Sequence, residues 1–504
     1  MSASFLLAKN GSKSAKANGV LLHSAYNPQI EGERFAQNAA ADFIPKHVVV
    51  IEGALGYCVQ PLRNRFCGAK ISTIRFGQDF NESDNLWDAA FNLQGQSDGK
   101  ENDFLAGLLF DFMGEEGLYQ CLFLEWPPSA RAWPKETKEA WNQIKAAMQK
   151  AKILLATHEH FAKRWLKNKA IFFERLERTL RMDKIQSPVL ICASGPSLEE
   201  SVNSIKKVRS KIFVCALSSA AGVLAYNKIQ PDLVLSEDGG WWAKKHLDIL
   251  RNEFLDVPLA LEPESACPSV LLQKKEILPL CYDDDEISKK IFGALGLEYV
   301  EARRNGTVSG SAMELFLSLC KKEIYFAGLD LAPANGQSHA RPNALQSERE
   351  EQDFRLRPKA TRAAAEVMPS PSLEIYKNWF SACNLNGRKV FRIKGKSGFS
   401  NSLGQIKDIN LKDFEEAIAA EKDRPQKNET SAQERPLPQK SERARTAREQ
   451  ILLWSQSDGF LTEIFPADSI IFRRSLDKAQ KDERQKIIAR KKQDLLDGVF
   501  GEKK

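Results

Sequence analysis

Small hydroxyl residues, glycines, acids, a histidine and an arginine fall at the carboxyl ends of short apolar runs in this chain. In SPVLICASGPSLEE, the run Val189–Cys192 passes into Ser194, Gly195, Pro196 and Ser197 before an acidic helix start. Pro suits the first turn of a helix, where its missing N–H would be unpaired anyway. Gly195 lets the backbone bend sharply or approach a ligand closely. A strand–turn–helix of this kind presents bare N–H groups to an anion; a plain tight turn is the alternative.

Further along, KIFVCAL ends at Ser218 and Ser219, and DLVLS ends at Glu237, Asp238 and Gly239. RRNGTVSGS supplies Thr307, Ser309 and Ser311 at a helix start, and EIYFAG leads to Asp330 and then to His339 and Arg341. Such a population is expected of a nucleotide or sugar-nucleotide site. Each residue has a structural alternative. Asp330 and Asp238 suit turns, Ser218 and Ser219 suit a helix cap, and a polar-loop histidine such as His339 titrates near neutrality unless perturbed.

Other groups argue against further chemistries. His158 and His160 are two apart in a helical stretch, a spacing that does not share one face. Asp283, Asp284, Asp285 and Glu286 read as a helix start, with a metal role as the alternative. The sequence contains no GxxxxGK[ST] or HExxH, so the chemistries those motifs serve are not indicated. GALGYC does not match GxGxxG. Glu199 and Glu200 would oppose a highly charged triphosphate beside Ser197.

The elements that must position these residues alternate. HVVVIEGALGYCV, ISTIRFG and LYQCLFLEW predict strands of a first α/β unit. Helical spacing follows from Lys135 to about Arg181 and reads as a linking helix pair. From Pro188, strands VLICA, KIFVCAL, DLVLS, VPLAL, EILPL and EIYFAG alternate with helices, which predicts a doubly wound, mostly parallel sheet. Ligands on such sheets sit beyond the carboxyl ends of the strands. The expected division is an N-terminal Rossmann-like domain at 1–134, linking helices at 135–186 and a central domain at 187–417. A charged flexible linker is expected at 418–450 and a small helical tail at 451–504.

The chain has 504 residues, 42% hydrophobic and 28% charged, with a formal net charge of +7. That balance is mild over this length and does not indicate nucleic acid. The nine cysteines lack CxxC spacing, which predicts reduced thiols, a cytoplasmic setting and no zinc site. The N-terminus does not read as a signal peptide, and no window reaches the apolar length of a transmembrane span.

The segments VLICASGPSLEE, AGVLAYNKIQPDLVLSEDGG and TVSGSAMELFLSLCKKEIYFAGLDLAPANGQSHAR, in that order, resemble the Maf proteins, the motility accessory factors that glycosylate bacterial flagellin. Their central domain is shared with 6-hydroxymethylpterin diphosphokinases and resembles bacterial sialyltransferases. The resemblance covers roughly 187–406 and is weaker around HVVVIEGALGYCVQPL. Two departures stand out: EGALG is a reduced glycine turn, and KSGFSN lacks a double glycine. The resemblance implies transfer of a nonulosonic acid, of pseudaminic or legionaminic type, from a CMP-sugar donor to Ser or Thr of flagellin. Gly195, Pro196 and Ser197 would then hold the donor nucleotide. Ser194, Ser218, Ser219, Thr307, Ser309 and Ser311 fall with the donor, and Ser218 and Asp238 would line its pocket. His339 would be the acid or base, with Asp238 or Asp330 as a further base and no cofactor beyond the donor. An ATP-dependent pyrophosphoryl transfer to a pterin, with Mg²⁺ on Asp238 and Asp330, is one alternative. A non-catalytic flagellin-binding protein is the other.

Overall fold

The computed structural model describes residues 3–93, 104–304, 306–334, 337–361, 371–395, 402–424, 430–433, 436–474 and 478–501. The expectations that fell on Gly336 and on KSGFSN (396–401) lie outside them. The chain forms two compact units: Met1–Lys163 with Ser455–Lys504, and Arg164–Trp454.

The first unit opens with an antiparallel meander that the sequence reading passed over, β1 (Ser4–Leu7), β2 (Lys13–Ala17) and β3 (Val20–Leu21). Its signals were present in Asn10-Gly11 and Asn18-Gly19; Gly11, Asn18 and Gly19 all take positive φ, as tight hairpin turns require. Helix α1 (Pro28–Asn38) starts on Asn27, whose side chain accepts from the Gln29 and Ile30 amides. A parallel sheet follows: β4 (His47–Ile51), α2 (Val59–Arg65), β5 (Lys70–Arg75), β6 (Ala90–Asn92), α3 (Phe104–Tyr119) and β7 (Cys121–Glu125), in the order β6-β5-β4-β7. The strand expected over LYQCLFLEW is therefore shorter, because α3 runs through Tyr119.

The turn after β4 is committed to the fold. Glu52 and Ala54 sit at positive φ. Buried Arg75 donates to Glu52 (3.0 Å), the Ala54 carbonyl (2.9 Å), Asp84 (2.8 Å) and Ser83 (2.9 Å). Glu52 also accepts from the Phe76 amide. A Cβ on Gly53 would lie 2.5 Å from the Trp87 ring. The turn's polar groups are thus satisfied from within.

Short α4 (Pro127–Ala132) leads to α5, which runs unbroken from Pro134 to Arg175. A single 42-residue helix replaces the expected pair, and the division between the units falls inside it.

The second unit contains a nine-stranded, wholly parallel sheet. After β8 (Leu180–Met182) come β9 (Val189–Cys192), α6 (Leu198–Val208), β10 (Phe213–Leu217), α7 (Ala221–Tyr226), β11 (Leu233–Ser236) and α8 (Trp241–Leu247). Then follow β12 (Leu259–Leu261), α9 (Ser269–Lys274), β13 (Ile277–Tyr282), α10 (Glu286–Leu295), β14 (Val300–Ala302), α11 (Val308–Leu319) and β15 (Ile324–Ala327). Helices α12 (Ala344–Glu351) and α13 (Pro371–Ala382) precede β16 (Val390–Ile393), β17 (Lys407–Ile409) and α14 (Leu411–Ala419). The order is β14-β13-β12-β11-β10-β9-β15-β16-β17. Strands β9 to β13 and β15 are buried at every position, as continuous apolar runs require when helices cover both faces.

The expected flexible linker at 418–450 is corrected over its described residues. There β18 (Thr430–Ala432) pairs with β8, and α15 spans Lys440–Trp454. Low apolar content misled because the segment is held by charge. Arg443, only 2% exposed, donates to the Phe173 carbonyl (3.2 Å), the Glu174 carbonyl (3.3 Å) and Glu177 (3.1 Å). The expected tail is helical as α16 (Asp458–Ile464), α17 (Pro466–Arg474) and α18 (Lys478–Phe500). It belongs to the first unit, where Arg473 pairs with Glu116.

Truncating Arg443 strands buried carbonyls that cannot reach water. Arg443→Ala should cost about 1–3 kcal/mol and open the segment around α15 to protease. Urea unfolding with timed proteolysis checks this; unchanged stability and unchanged cleavage would restore the flexible-linker reading.

Candidate functional site

Chain order puts β10 on one side of β9 and β15 on the other, so the sheet reverses its winding between β9 and β15. That is where an open α/β sheet leaves a crevice, and the GPS turn and Asp330 both lie there. The turn is stitched to the neighbouring strand end: the Gly195 amide donates to the Gly328 carbonyl at 2.8 Å. The Ser197 amide donates to Asp330 Oδ2 at 2.7 Å, and the Ser197 hydroxyl donates to Oδ1. A Cβ on Gly195 would sit 2.5 Å from that same carbonyl. Gly328 holds φ at 74° with a virtual Cβ 2.4 Å from the Ala193 carbonyl. Both glycines are thus demanded by close backbone approach. Burial pushes the Asp330 carboxyl up to about 6, against the opposing pull of its Ser197 bonds and Arg392.

The loop carrying His339 crosses this turn. Ala340 donates its amide to the Ser194 carbonyl (2.8 Å), Arg341 its amide to Glu199 (2.8 Å), and Asn343 its side chain to the Ser219 carbonyl (2.9 Å). His339 is partly buried, with Nδ1 unpartnered among the described residues. Burial, then His246 and Arg349, lower its pKa to about 4. The near-neutral titration expected from the sequence is therefore corrected: the resting imidazole is uncharged. His246 is lowered by burial too, opposed by Asn343 and Asp238. Asp238 is exposed, and its Oδ1 accepts from the Gly240 amide (2.7 Å) in the local turn that was the alternative reading.

Ser218 is buried and Ser219 half-buried before α7. Thr307 starts α11 without a side-chain cap bond, and Ser309, two residues on, is partly exposed. Ser311 is buried, donates to the Arg303 carbonyl (3.0 Å) and bonds to Glu237.

Sequence reasoning missed the charged network at the ends of β11 to β13. Lys169 lies 2.9 Å from both Glu264 and Asp285, and Arg304 lies 2.8 Å from Glu264. All but Arg304 are almost fully buried. Burial works to raise Glu264, but Lys169 and Arg304 outweigh it and hold the carboxyl at about 2. Burial pushes Glu237 up to about 8, against bonds from Ser311 and Tyr282 and the charge of Arg304. Glu262 is driven well up by burial, then by its neighbours Glu264 and Asp285; its Oε1 is unpartnered among the described residues. The site therefore mixes a carboxylate with neutral carboxylic acids, which donate hydrogen bonds instead of accepting only. One signal was legible, since Glu262 and Glu264 directly follow the VPLAL strand. Nothing local pointed to Lys169, which comes from α5. The acidic run before α10 is partly what the sequence implied: Asp285 caps the helix by accepting from the Ser288 amide (3.1 Å).

Because Asp330 binds its proton more tightly folded than unfolded, its contribution to stability is greatest below about pH 4. That contribution is lost as pH rises through about 6,. Asp330→Asn keeps an acceptor for the Ser197 amide and should flatten this slope while leaving the fold intact. Asp330→Ala strands Ser197 and should cost about 1–3 kcal/mol. Urea melts across pH 4 to 8 decide; a wild-type slope in the Asn variant would remove Asp330 as its source.

Residues 159–336 match the 6-hydroxymethylpterin diphosphokinase MptE-like family. An uncharacterized protein of Treponema pallidum (strain Nichols) is 30% identical over 325 residues, covering 63% of this chain and 70% of that one. Among solved structures, the Maf glycosyltransferase from Magnetospirillum magneticum AMB-1 is similar with a TM-score of 0.52 at 12% identity, covering 99% of this chain and 91% of that one. At that identity the likeness is one of fold. The chain therefore belongs to one family with the Treponema relative, carries an MptE-like segment at 159–336, and shares its fold with a Maf glycosyltransferase.

Proposed function

We propose that the chain is a glycosyltransferase that moves a nonulosonic acid from a CMP-sugar to Ser or Thr hydroxyls of flagellin. The observation carrying this reading is the sheet reversal between β9 and β15, where the loop bearing an uncharged histidine is hydrogen-bonded to the turn after β9. The whole-length fold likeness to a Maf glycosyltransferase supports it. Gly195, Pro196 and Ser197 would line the donor nucleotide's pocket, although the Gly195 and Ser197 amides are already taken by Gly328 and Asp330, with Ser194, Ser218, Ser219, Thr307, Ser309 and Ser311 around it. In the transfer, the acceptor oxygen bonds to the anomeric carbon and the carbon–oxygen bond to the phosphate breaks. CMP leaves with the electron pair. The acceptor proton needs a base, and an imidazole with Nδ1 unpartnered among the described residues and a pKa of about 4 rests in the basic form. Asp238, exposed near His246, is the second candidate.

A second reading, pyrophosphoryl transfer from ATP to a hydroxymethylpterin, is favoured by the family match over 159–336. It would place Mg²⁺ on Asp238 and Asp330. Against it, both Asp330 oxygens are engaged by Ser197, which a metal would have to displace. Thermal shift with CMP or CTP against ATP plus Mg²⁺ separates the two; Mg²⁺-dependent stabilisation by ATP alone would reverse the order.

Two measurements test the transferase. Deleting the gene should lower intact flagellin mass by the glycan, and unchanged mass would sink the acceptor assignment. His339→Ala should reduce turnover roughly 10²–10⁴-fold with donor affinity nearly kept. Wild-type kcat/KM should stay level from neutrality down to about pH 5 and fall as pH drops towards 4, where the base becomes protonated,. Near-normal turnover in the alanine variant would leave His339 a loop residue only.

A further inference from the structure

The first unit carries an open sheet edge beside an apolar groove, built from none of the residues assigned above. β7 pairs with β4 on one side and is the last strand of its sheet. Trp126 donates its amide to the Ile51 carbonyl and His47 donates to the Gln120 carbonyl, both at 3.4 Å. In a parallel ladder alternate residues face the same neighbour, so Gln120, Leu122, Leu124 and Trp126 turn their backbone towards β4. Cys121, Phe123 and Glu125 turn their N–H and C=O groups outward, and no described residue pairs with them. An unpaired edge of this kind is a template for another strand. Phe123 and its neighbours on β7 are only partly buried.

Next to that edge lies a cavity of about 480 Å³ lined by Leu118, Tyr119, Phe123, Trp141, Ile144 and Met148, with Lys145 and Arg474 at its wall. Lys145 is exposed, and no ion pair to it is found among the described residues. Among the described residues Arg474 pairs with Asp42, at 3.7 Å, whose side chain is 88% exposed, and lies over the Phe43 ring, so a carboxylate compensates little of its charge. The nearby acids Asp42 and Glu125 do not line the cavity. The groove therefore offers an apolar floor, two cations with little compensation and a row of backbone donors and acceptors.

We propose that the outer edge of β7 binds an extended, acid-bearing segment of a partner protein as a fifth strand. Its apolar side chains fill the groove and its carboxylates meet Lys145 and Arg474. Strand addition of this kind takes affinity from main-chain hydrogen bonds and specificity from side-chain pockets. Charge selects this occupant over a second copy of the chain, because pairing β7 with β7 about a two-fold axis would bring two identical cationic grooves together. The inference is independent of the transferase reading.

The test uses full-length protein and two fluorescein-labelled probes: a short alternating Val/Thr peptide flanked by Asp, and its twin flanked by Lys. Anisotropy should show saturable binding of the acidic peptide, weakening with added salt. Lys145→Glu with Arg474→Glu should weaken it roughly tenfold or more and favour the basic twin. Hydrogen exchange should slow at the Cys121, Phe123 and Glu125 amides. Phe123→Pro, which removes an outward N–H without breaking the ladder, should also weaken binding; if it fails to fold, the charge reversal carries the test alone. Equal binding of both peptides, indifference to the reversal, or protection elsewhere would overturn the proposal. So would a dimer in sedimentation with β7 protected, which assigns the edge to a second copy.

Discussion

The second unit depends on one constraint, the stitching of the β9 turn to the β15 turn where the sheet reverses. Two backbones approach there too closely for side chains, so glycines occupy positions 195 and 328. The Asp330 carboxylate accepts both the amide and the hydroxyl of Ser197. A crevice at a sheet reversal has no side-chain packing of its own to define it, so hydrogen bonds between its two lips must set its width. Burying that carboxylate is unfavourable, as its raised pKa shows, and such a cost persists only where geometry demands it. Gly395 closes in from the β16 side, where a Cβ would lie 2.9 Å from that of Ser197.

Around this constraint the protein separates charge states. Glu264 stays ionised because Lys169 and Arg304 flank it, whereas Glu237 and Glu262 are driven towards the neutral acid by burial. Environment, not residue type, decides which acids accept and which donate. The two histidines obey the same rule: both are partly buried, burial lowers both, and His246 lowers His339 further. Arg75 in the first unit shows the structural counterpart. It fills the turn after β4 with guanidinium bonds, which spends on folding the position where a nucleotide-binding sheet keeps free amides,.

The comparison of sequence with structure is instructive where it divides. Apolar runs such as VLIC and FVCAL marked the central strands because a strand covered on both faces must be apolar throughout. Strands β14, β16 and β17, at or next to the sheet's two edges, went unseen: all are short, β14 and β17 are partly exposed, and β16 carries Arg392, which pairs with Asp408 of β17. The segment around α15 looked disordered because composition counts apolar residues and cannot see that Arg443 will be buried against carbonyls of α5 and the Glu177 carboxylate just after it.

The residues at the strand ends were legible by themselves. Serines, glycines, acids and His339 after apolar runs mark the carboxyl edge of a parallel sheet, because strand termination and turn chemistry are local. Their partnerships were not. That Asp330 serves Ser197, that His339 faces His246, and that Lys169 from α5 neutralises Glu264 and Asp285 are contacts between residues far apart in the chain. Protonation follows from those contacts, since desolvation and neighbouring charge are properties of a place in the fold. The sequence by itself determined which residues reach the edge of the sheet; only the tertiary structure decided which of them hold the crevice together and which remain free for chemistry.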